Sequence, residues 1–157
     1  MVNILISEDD DPKYIQIREH LESFLFSCTV QVKRSANTTL EALRENAPDL
    51  LILDMSLPTY EIAPGEQGGR PQDFGGLAVM DFMEFEELKV PVIIVTQYGA
   101  FARGSGDNMT LEELAEKASF DHPDLFAGLV YYNLVMNDWK SDLRDKVCKV
   151  LERIDKQ

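Results

Sequence analysis

A single aspartate follows an apolar run in the first half of the chain. Leu50 to Leu53 are all apolar, Asp54 comes next, and Pro58 stops the strand four residues later. This pattern predicts a carboxylate presented at the carboxyl edge of a buried parallel sheet. An aspartate at such a place is usually a turn residue, so its chemical meaning depends on what stands at the other strand ends.

Acidic and hydroxyl residues also follow two other predicted strands. Residues 8–11, Glu-Asp-Asp-Asp, come directly after the strand 2–7, and Thr96 ends the apolar strand 91–96. Crowded carboxylates raise one another's pKa unless a cation neutralises them, and all-oxygen ligation suits Mg²⁺. A carboxylate beside Mg²⁺ can attack phosphorus and form an acyl phosphate. The three strand ends therefore predict a magnesium-dependent phosphoryl acceptor.

The elements that must position these residues alternate between strands and helices. Strands are predicted over 2–7, 29–33, 50–54, 91–96 and 128–133. Helices are predicted from Pro12 to Leu25, from a cap at Thr38 or Thr39, over 77–88, over 111–118, and from Asp138 onward, with a glycine-rich turn at 99–108. The alternation predicts an α/β fold with a doubly wound parallel sheet, in which ligands bind beyond the carboxyl ends of the strands.

Length, charge and cysteine content narrow the class of protein. The 157 residues suit one domain, and 15 basic against 28 acidic residues give a formal charge of −13. This charge disfavours direct binding to nucleic acid or to an anionic membrane, and favours a bound cation or a basic partner. Cys28 and Cys148 have no CxxC spacing and are predicted to be reduced thiols. No signal peptide or spanning segment is predicted, which favours a cytoplasmic location.

The chain resembles the receiver domains of bacterial two-component response regulators over essentially its full length. The resemblance is carried by ILISEDD at 4–10, DLLILDMSLP at 49–58, Gly76-Leu77, and PVIIVT at 91–96. It implies a flavodoxin-like (βα)5 sheet with strand order 2-1-3-4-5, formed by one receiver domain spanning residues 1–157. It also implies a signalling protein of a phosphorelay that catalyses only its own phosphorylation and dephosphorylation.

The same resemblance assigns roles to the acidic residues. Asp54 accepts a phosphoryl group from a histidine kinase or a phosphotransfer protein. Asp9, Asp54 and the main-chain carbonyl of Ser56 bind Mg²⁺ directly, and Glu8 acts through water. Asp10 is the alternative ligand if the acidic register slips by one residue.

The resemblance also implies a switch that changes a surface for a downstream protein. Thr96 would hydrogen-bond the phosphoryl group and pull its loop inward. The switch aromatic of the fifth strand is Tyr131 or Tyr132, because one residue of register decides which of them points inward.

One departure from the family concerns a cation. Receivers carry a lysine at the end of the fifth strand, where this chain has Asn133 or a neighbour, and the following lysine, Lys140, is expected on a solvated face. Losing a fixed cation beside the phosphate is expected to weaken phosphoryl stabilisation or its coupling to the switch. The departure leaves open a second reading, a degenerate receiver that acts as a phosphorylation-independent interaction module.

A second departure follows the phosphoacceptor strand. Residues 59–76 contain five glycines and two prolines, which predicts an inserted loop above the crevice. It is either a surface excursion or a lid or partner-docking loop. His20 and His122 lack metal-ligand spacing and are predicted to be structural or exposed.

Overall fold

The computed structural model describes residues 1–60, 75–97, 100–102, 108–135 and 138–155, with only the backbone described for 100–102 and 108. The elements in chain order are β1 (Val2–Ser7), α1 (Asp11–Phe24), β2 (Cys28–Lys33), α2 (Ala36–Glu45), β3 (Leu50–Leu53), α3 (Gly75–Phe85), β4 (Val92–Thr96), β5 (Ala100–Ala102), β6 (Asn108–Thr110), α4 (Leu111–Asp121), β7 (Phe126–Tyr131) and α5 (Trp139–Asp155).

Five of the strands form one parallel sheet in the order β2-β1-β3-β4-β7. The other two, β5 and β6, form a separate antiparallel hairpin. Since the hairpin lies outside the sheet, β7 is the fifth strand of that sheet. The predicted flavodoxin-like fold with strand order 2-1-3-4-5 is confirmed.

The sheet divides the core into two halves. Ile4 and Ile6 of β1 pack on one face and Leu5 on the other, as the alternation of a strand requires. The first face is covered by α1 and α5, through Ile17, Leu21, Trp139, Leu143 and Val147. The second is covered by α2, α3 and α4, through Leu40, Leu43, Val79, Met83 and Leu114. Each fully buried aliphatic side chain of this kind stabilises the fold by about 1.5–3 kcal/mol. No helix within the described ranges has the length and apolar character needed to cross a bilayer.

A bulge in β7 changes which of its residues face each half of the core. The pairing of β4 with β7 shifts by one residue near its start, where Gly128 has a φ of +145°. Phe126 and Leu129, three residues apart, pack in the same half, and so do Ala127 and Val130. Strict alternation would put each of these pairs on opposite faces. The bulge therefore reverses the face of the sheet to which each later side chain of β7 points.

The start of α2 differs from the prediction. The helix begins at Ala36 and Ser35 is its N-cap, accepting a hydrogen bond from the Thr38 N–H at 3.1 Å, so a cap at Thr38 or Thr39 is wrong. The Thr39 hydroxyl instead donates to the Ser35 carbonyl at 2.7 Å and lies 2.7 Å from the Ser7 hydroxyl. These buried hydroxyls join α2 to the end of β1.

Other helices and strands also begin or end at residues different from those predicted. The helix predicted over 77–88 covers Gly75–Phe85, and the predicted turn at 99–108 contains β5 and the first residue of β6. The strand predicted over 128–133 covers Phe126–Tyr131. Of the predicted loop 59–76, residues 61–74 lie outside the described part of the chain, while its last two glycines belong to α3.

Those two glycines bring α3 against the residues that follow β3. The Gly76 N–H donates to the Met55 carbonyl at 2.9 Å, and a Cβ at Gly76 would lie 2.7 Å from the Asp54 carbonyl oxygen. A Cβ at Gly75 would lie 2.0 Å from the Leu57 carbonyl oxygen. Only glycine permits this approach, which fixes the path of the chain just beyond the strand.

We predict that Gly75→Ala lowers the free energy of unfolding by about 1–3 kcal/mol, because the new methyl group overlaps backbone and the helix must shift. Urea unfolding followed by circular dichroism measures the change. Glu41→Ala, on the exposed side of α2, is the control and is expected to stay within about 0.5 kcal/mol of the wild type. Equal stability of Gly75→Ala and the control would contradict the prediction.

Candidate functional site

The site lies at the carboxyl edge of the sheet, where β1 and β3 end side by side. Ser7 and Leu53, the last residues of these strands, are register partners. The Asp54 N–H continues the ladder by donating to the Ser7 carbonyl at 2.9 Å. The Asp54 side chain is only 5% exposed. The backbone pairing thus places a buried carboxylate beside the acidic residues that follow β1.

Glu8 and Asp9 complete a cluster of three carboxylates. Glu8 is buried, and its Oε1 accepts a hydrogen bond from the Asp10 N–H at 3.0 Å; Asp9 is exposed. One carboxylate oxygen from each of Glu8, Asp9 and Asp54 lies within 4.8 Å of the others. Asp10 stands instead at the N-cap of α1. An all-oxygen set of this kind fits a hard divalent cation, and the structure brings together Asp9 rather than Asp10 with the other two acids.

A lysine from α1 also reaches this cluster. The Lys13 ammonium lies 2.6 Å from Glu8 Oε2 and 3.1 Å from Asp54 Oδ1, and it donates to the Val95 carbonyl at 2.9 Å. The residue is 1% exposed. The lysine expected in receivers at the end of the fifth strand is absent here, as predicted, but Lys13 of α1 places a buried cation beside Asp54, which the sequence analysis did not predict.

Burial and mutual repulsion set the protonation of the cluster. Burial raises the pKa of Glu8 to about 8, and the Asp54 charge adds to the rise while the Lys13 ammonium opposes it. The neighbouring groups partly desolvate the Asp9 carboxyl, although the residue is exposed; this desolvation raises the pKa of Asp9, and the charge of Asp54 raises it further. Burial would lower the pKa of Lys13, but the Asp54 and Glu8 charges outweigh it and the pKa is raised. The two carboxylates thus favour the charged form of Lys13, while burial disfavours the charged form of Glu8.

Lys13 holds an unusual position on α1. It lies in the first turn, where the helix dipole disfavours a positive charge and where most helices place acids. It also begins the buried face of the helix, four residues before Ile17 and eight before Leu21. Sequence reasoning missed it, although a lysine extending the apolar face of a helix into its first turn was a signal that could have found it.

The structure decides which tyrosine points inward. Tyr131 ends β7 and is 41% exposed, whereas Tyr132 is 5% exposed and donates from its hydroxyl to Gln16 Oε1 at 2.8 Å. Burial raises the pKa of the Tyr132 hydroxyl. Thr96 is fully buried at the end of β4, and its carbonyl accepts the Tyr132 N–H at 2.8 Å. Since β4 pairs with β3, Thr96 lies at the same edge as Asp54.

Three further residues named in the sequence analysis, Ser56, Asn133 and Lys140, have different surroundings. Ser56 is buried two residues beyond Asp54. Asn133 serves the turn after β7, because its Oδ1 accepts the Val135 N–H at 3.0 Å. Lys140 is exposed and its Nζ lies 5.8 Å from the centroid of the Trp139 ring, so it does not replace the missing lysine.

The two histidines have structural contacts away from the acidic cluster. His122 is buried after α4, with Nε2 2.8 Å from Asp81 Oδ1. The Nε2 of His20 lies 2.7 Å from the Lys140 carbonyl, and its ring contacts the Trp139 ring at 5.5 Å between centroids. His20 thus connects α1 to α5.

The sequence and the fold of the chain were compared with those of known proteins. No family model matches the chain. It is 29% identical over 151 residues to the Detocs response regulatory protein DtcB of Enterobacter cloacae (strain JD6301), an alignment that covers 95% of this chain and 100% of that protein.

Solved structures show the same fold. A CheY-like response regulator receiver domain protein from Methanospirillum hungatei JF-1 matches with a TM-score of 0.65 and 18% identity, covering 100% of this chain and 99% of that one. RcsB from Salmonella enterica serovar Typhimurium, bound to promoter rprA with the phosphomimetic BeF3⁻, matches with a TM-score of 0.66 and 15% identity over 96% of this chain and 99% of that one. The predicted resemblance to receiver domains is confirmed.

We predict that Tyr132→Phe lowers the free energy of unfolding by about 0.5–1.5 kcal/mol, because it removes the hydroxyl that donates to Gln16. Tyr131→Phe alters an exposed ring next to it in sequence and is expected to change stability by less than about 0.5 kcal/mol. Urea unfolding of the two variants side by side measures the difference. A larger loss for Tyr131→Phe would mean that the other tyrosine is the buried one.

Proposed function

We propose that this chain, which has the receiver fold and a response-regulatory relative, is a single receiver domain over residues 1–157 whose Asp54 accepts a phosphoryl group. The donor would be the phosphohistidine of a histidine kinase or of a phosphotransfer protein. The observation that carries the proposal is a buried carboxylate at the sheet edge, clustered with the carboxylates of Glu8 and Asp9 and paired with the Lys13 ammonium.

The proposed chemistry is an in-line displacement at phosphorus. An Asp54 carboxylate oxygen attacks, a new O–P bond forms, and the P–N bond to the donor imidazole breaks with its electron pair going to the ring nitrogen. No redox change occurs, and the product is an acyl phosphate on Asp54. Such reactions are accelerated mainly by positioning and by electrostatic stabilisation of the phosphoryl oxygens. Burial supports this role, since charge interactions are stronger where water is excluded.

The acidic cluster supports a resident Mg²⁺. Asp9 and Asp54 would hold the ion directly with the Ser56 main-chain carbonyl, and Glu8 would act through water. When bound, Mg²⁺ neutralises charge on the phosphoryl oxygens. The donor set is all oxygen, which suits this ion better than a softer metal.

Phosphorylation would act as a switch through the neighbouring strand ends. A phosphoryl group adds negative charge at Asp54, and Thr96 would donate its hydroxyl to a phosphoryl oxygen. Because the Thr96 carbonyl is bonded to the Tyr132 N–H, movement of Thr96 also displaces the start of the segment after β7. The changed surface would bind a downstream protein, and the charge of −13 argues against nucleic acid as that partner.

We predict that wild-type protein with Mg²⁺ and acetyl phosphate gains the mass of one phosphoryl group, and that Asp54→Asn gains none because the amide cannot attack phosphorus. Intact-mass spectrometry measures incorporation, and the adduct should be stable in acid and labile in base. Asp49→Asn, at the other end of the same strand, is the matched control and should be phosphorylated normally.

Two results would contradict this assignment. One is the absence of incorporation into wild-type protein from acetyl phosphate and from phosphohistidine donors. The other is equal incorporation into Asp54→Asn. Absent incorporation, combined with a partner that binds wild type and Asp54→Asn equally, would favour the degenerate, phosphorylation-independent module.

We predict that Asp9→Asn weakens Mg²⁺ binding by about tenfold or more, because it removes a carboxylate ligand, whereas Asp10→Asn leaves the affinity within about twofold. Isothermal titration calorimetry with Mg²⁺ compares the two variants. The opposite order would assign the metal to Asp10 and shift the acidic register by one residue.

A further inference from the structure

We propose, on the basis of the phosphoacceptor function above, that Lys13 is the catalytic cation of this receiver. It would bind the oxygens of the phosphoryl group as the group is transferred to Asp54 and remain bound to the acyl phosphate. The cation would thus come from the first turn of α1, in a chain whose residue after β7, Asn133, carries no charge.

The geometry places Lys13 against the attacking group. Its Nζ lies 3.1 Å from Asp54 Oδ1, and 2.6 Å from Glu8 Oε2 on the other side. With the bond to the Val95 carbonyl, these contacts use the three N–H donors of an ammonium. Within the described ranges, Lys13 is the cation paired with Asp54, while Lys140 lies over the Trp139 ring.

The charge of the product requires such a group. Asp54 carries one negative charge before transfer, and its acyl phosphate carries about two near neutral pH. Glu8 and Asp9 are already adjacent. A buried ammonium 3.1 Å from the attacked carboxylate can turn one N–H toward a phosphoryl oxygen without entering from solvent. Charge-assisted hydrogen bonds of this kind are about twice as strong as neutral ones.

Lys13 also connects the phosphoacceptor to the switch. Val95, whose carbonyl it holds, directly precedes Thr96, and the Lys13 Nζ lies 5.9 Å from the centroid of the Tyr132 ring. A shift of the ammonium toward the phosphoryl oxygens therefore changes its contact with the end of β4. In this chain α1 would participate in the response to phosphorylation.

The decisive experiment measures phosphoryl transfer and Mg²⁺ affinity in the same variants. Lys13→Met keeps the length of the stem and removes the charge, and Lys140→Met is the matched control. At saturating Mg²⁺ and acetyl phosphate, Lys13→Met should gain the phosphoryl group about 30- to 100-fold more slowly, the loss of one charged hydrogen bond. Its Mg²⁺ affinity should rise by about tenfold, because a competing cation between the carboxylates is gone. Lys140→Met should match wild type in both.

The outcomes separate this proposal from the preceding one. Wild-type protein that takes up no phosphoryl group refutes the phosphoacceptor function itself. Uptake by wild type, with Lys13→Met equally fast, refutes only the role of Lys13. Slower transfer with weaker Mg²⁺ binding also refutes it, since general damage to the site lowers both.

A second variant covers the case in which Lys13→Met does not fold. Lys13→Met combined with Glu8→Gln removes the ammonium together with the carboxyl group that contacts it at 2.6 Å, so that Glu8 is not left buried without its partner. Measured against Glu8→Gln alone, the double variant should transfer about 30- to 100-fold more slowly. Equal rates in this pair would overturn the role of Lys13.

Discussion

The ion pairs of Lys13 with Glu8 and Asp54 hold together the charged edge of the sheet. Burying an isolated charge costs several kcal/mol even after relaxation, and only close, hydrogen-bonded partners offset it. Asp54 and Glu8 are nearly inaccessible, so the lysine that neutralises them must be buried too. Asp9, the third acid, is exposed. The cluster therefore has two buried acids paired with a fixed cation and a third acid at the surface.

The interaction depends on a topology that joins distant parts of the chain. Lys13 is 41 residues from Asp54 and 82 residues from Val95, yet one ammonium contacts both. Parallel pairing brings the carboxyl ends of β1, β3 and β4 to one edge, and the first turn of α1 begins beside the end of β1. The two glycines that open α3 fix the chain beyond Asp54 by their contacts with its backbone. Fold and site are therefore specified by the same packing.

The sequence was most informative where chemistry coincides with a strand end. Asp54 and Thr96 could be found because each follows an unbroken apolar run, and the strand order followed from the family resemblance. Lys13 was missed because a lysine in the first turn of a helix is usually solvated, and its place in line with the apolar residues Ile17 and Leu21 was not given weight. The sequence could not decide which of the two tyrosines is buried, because the bulge at Gly128 reverses the face of the sheet to which each later side chain points. A single glycine is the only mark that this bulge leaves in the sequence. The β5–β6 hairpin was missed since its strands have three residues each.

The position of the lysine on α1 also explains the residue found after β7. Asn133 accepts the Val135 N–H through its side-chain oxygen and so closes the turn that leads toward α5. A lysine has three donors and no acceptor, and could not make that bond. With the cation supplied by α1, position 133 is released from the site and can stabilise the turn instead. Under the role proposed for Lys13, the lysine on α1 compensates for the lysine absent after β7. In physical terms, a buried positive charge lies beside Asp54, and α1 carries it instead of the residue after β7.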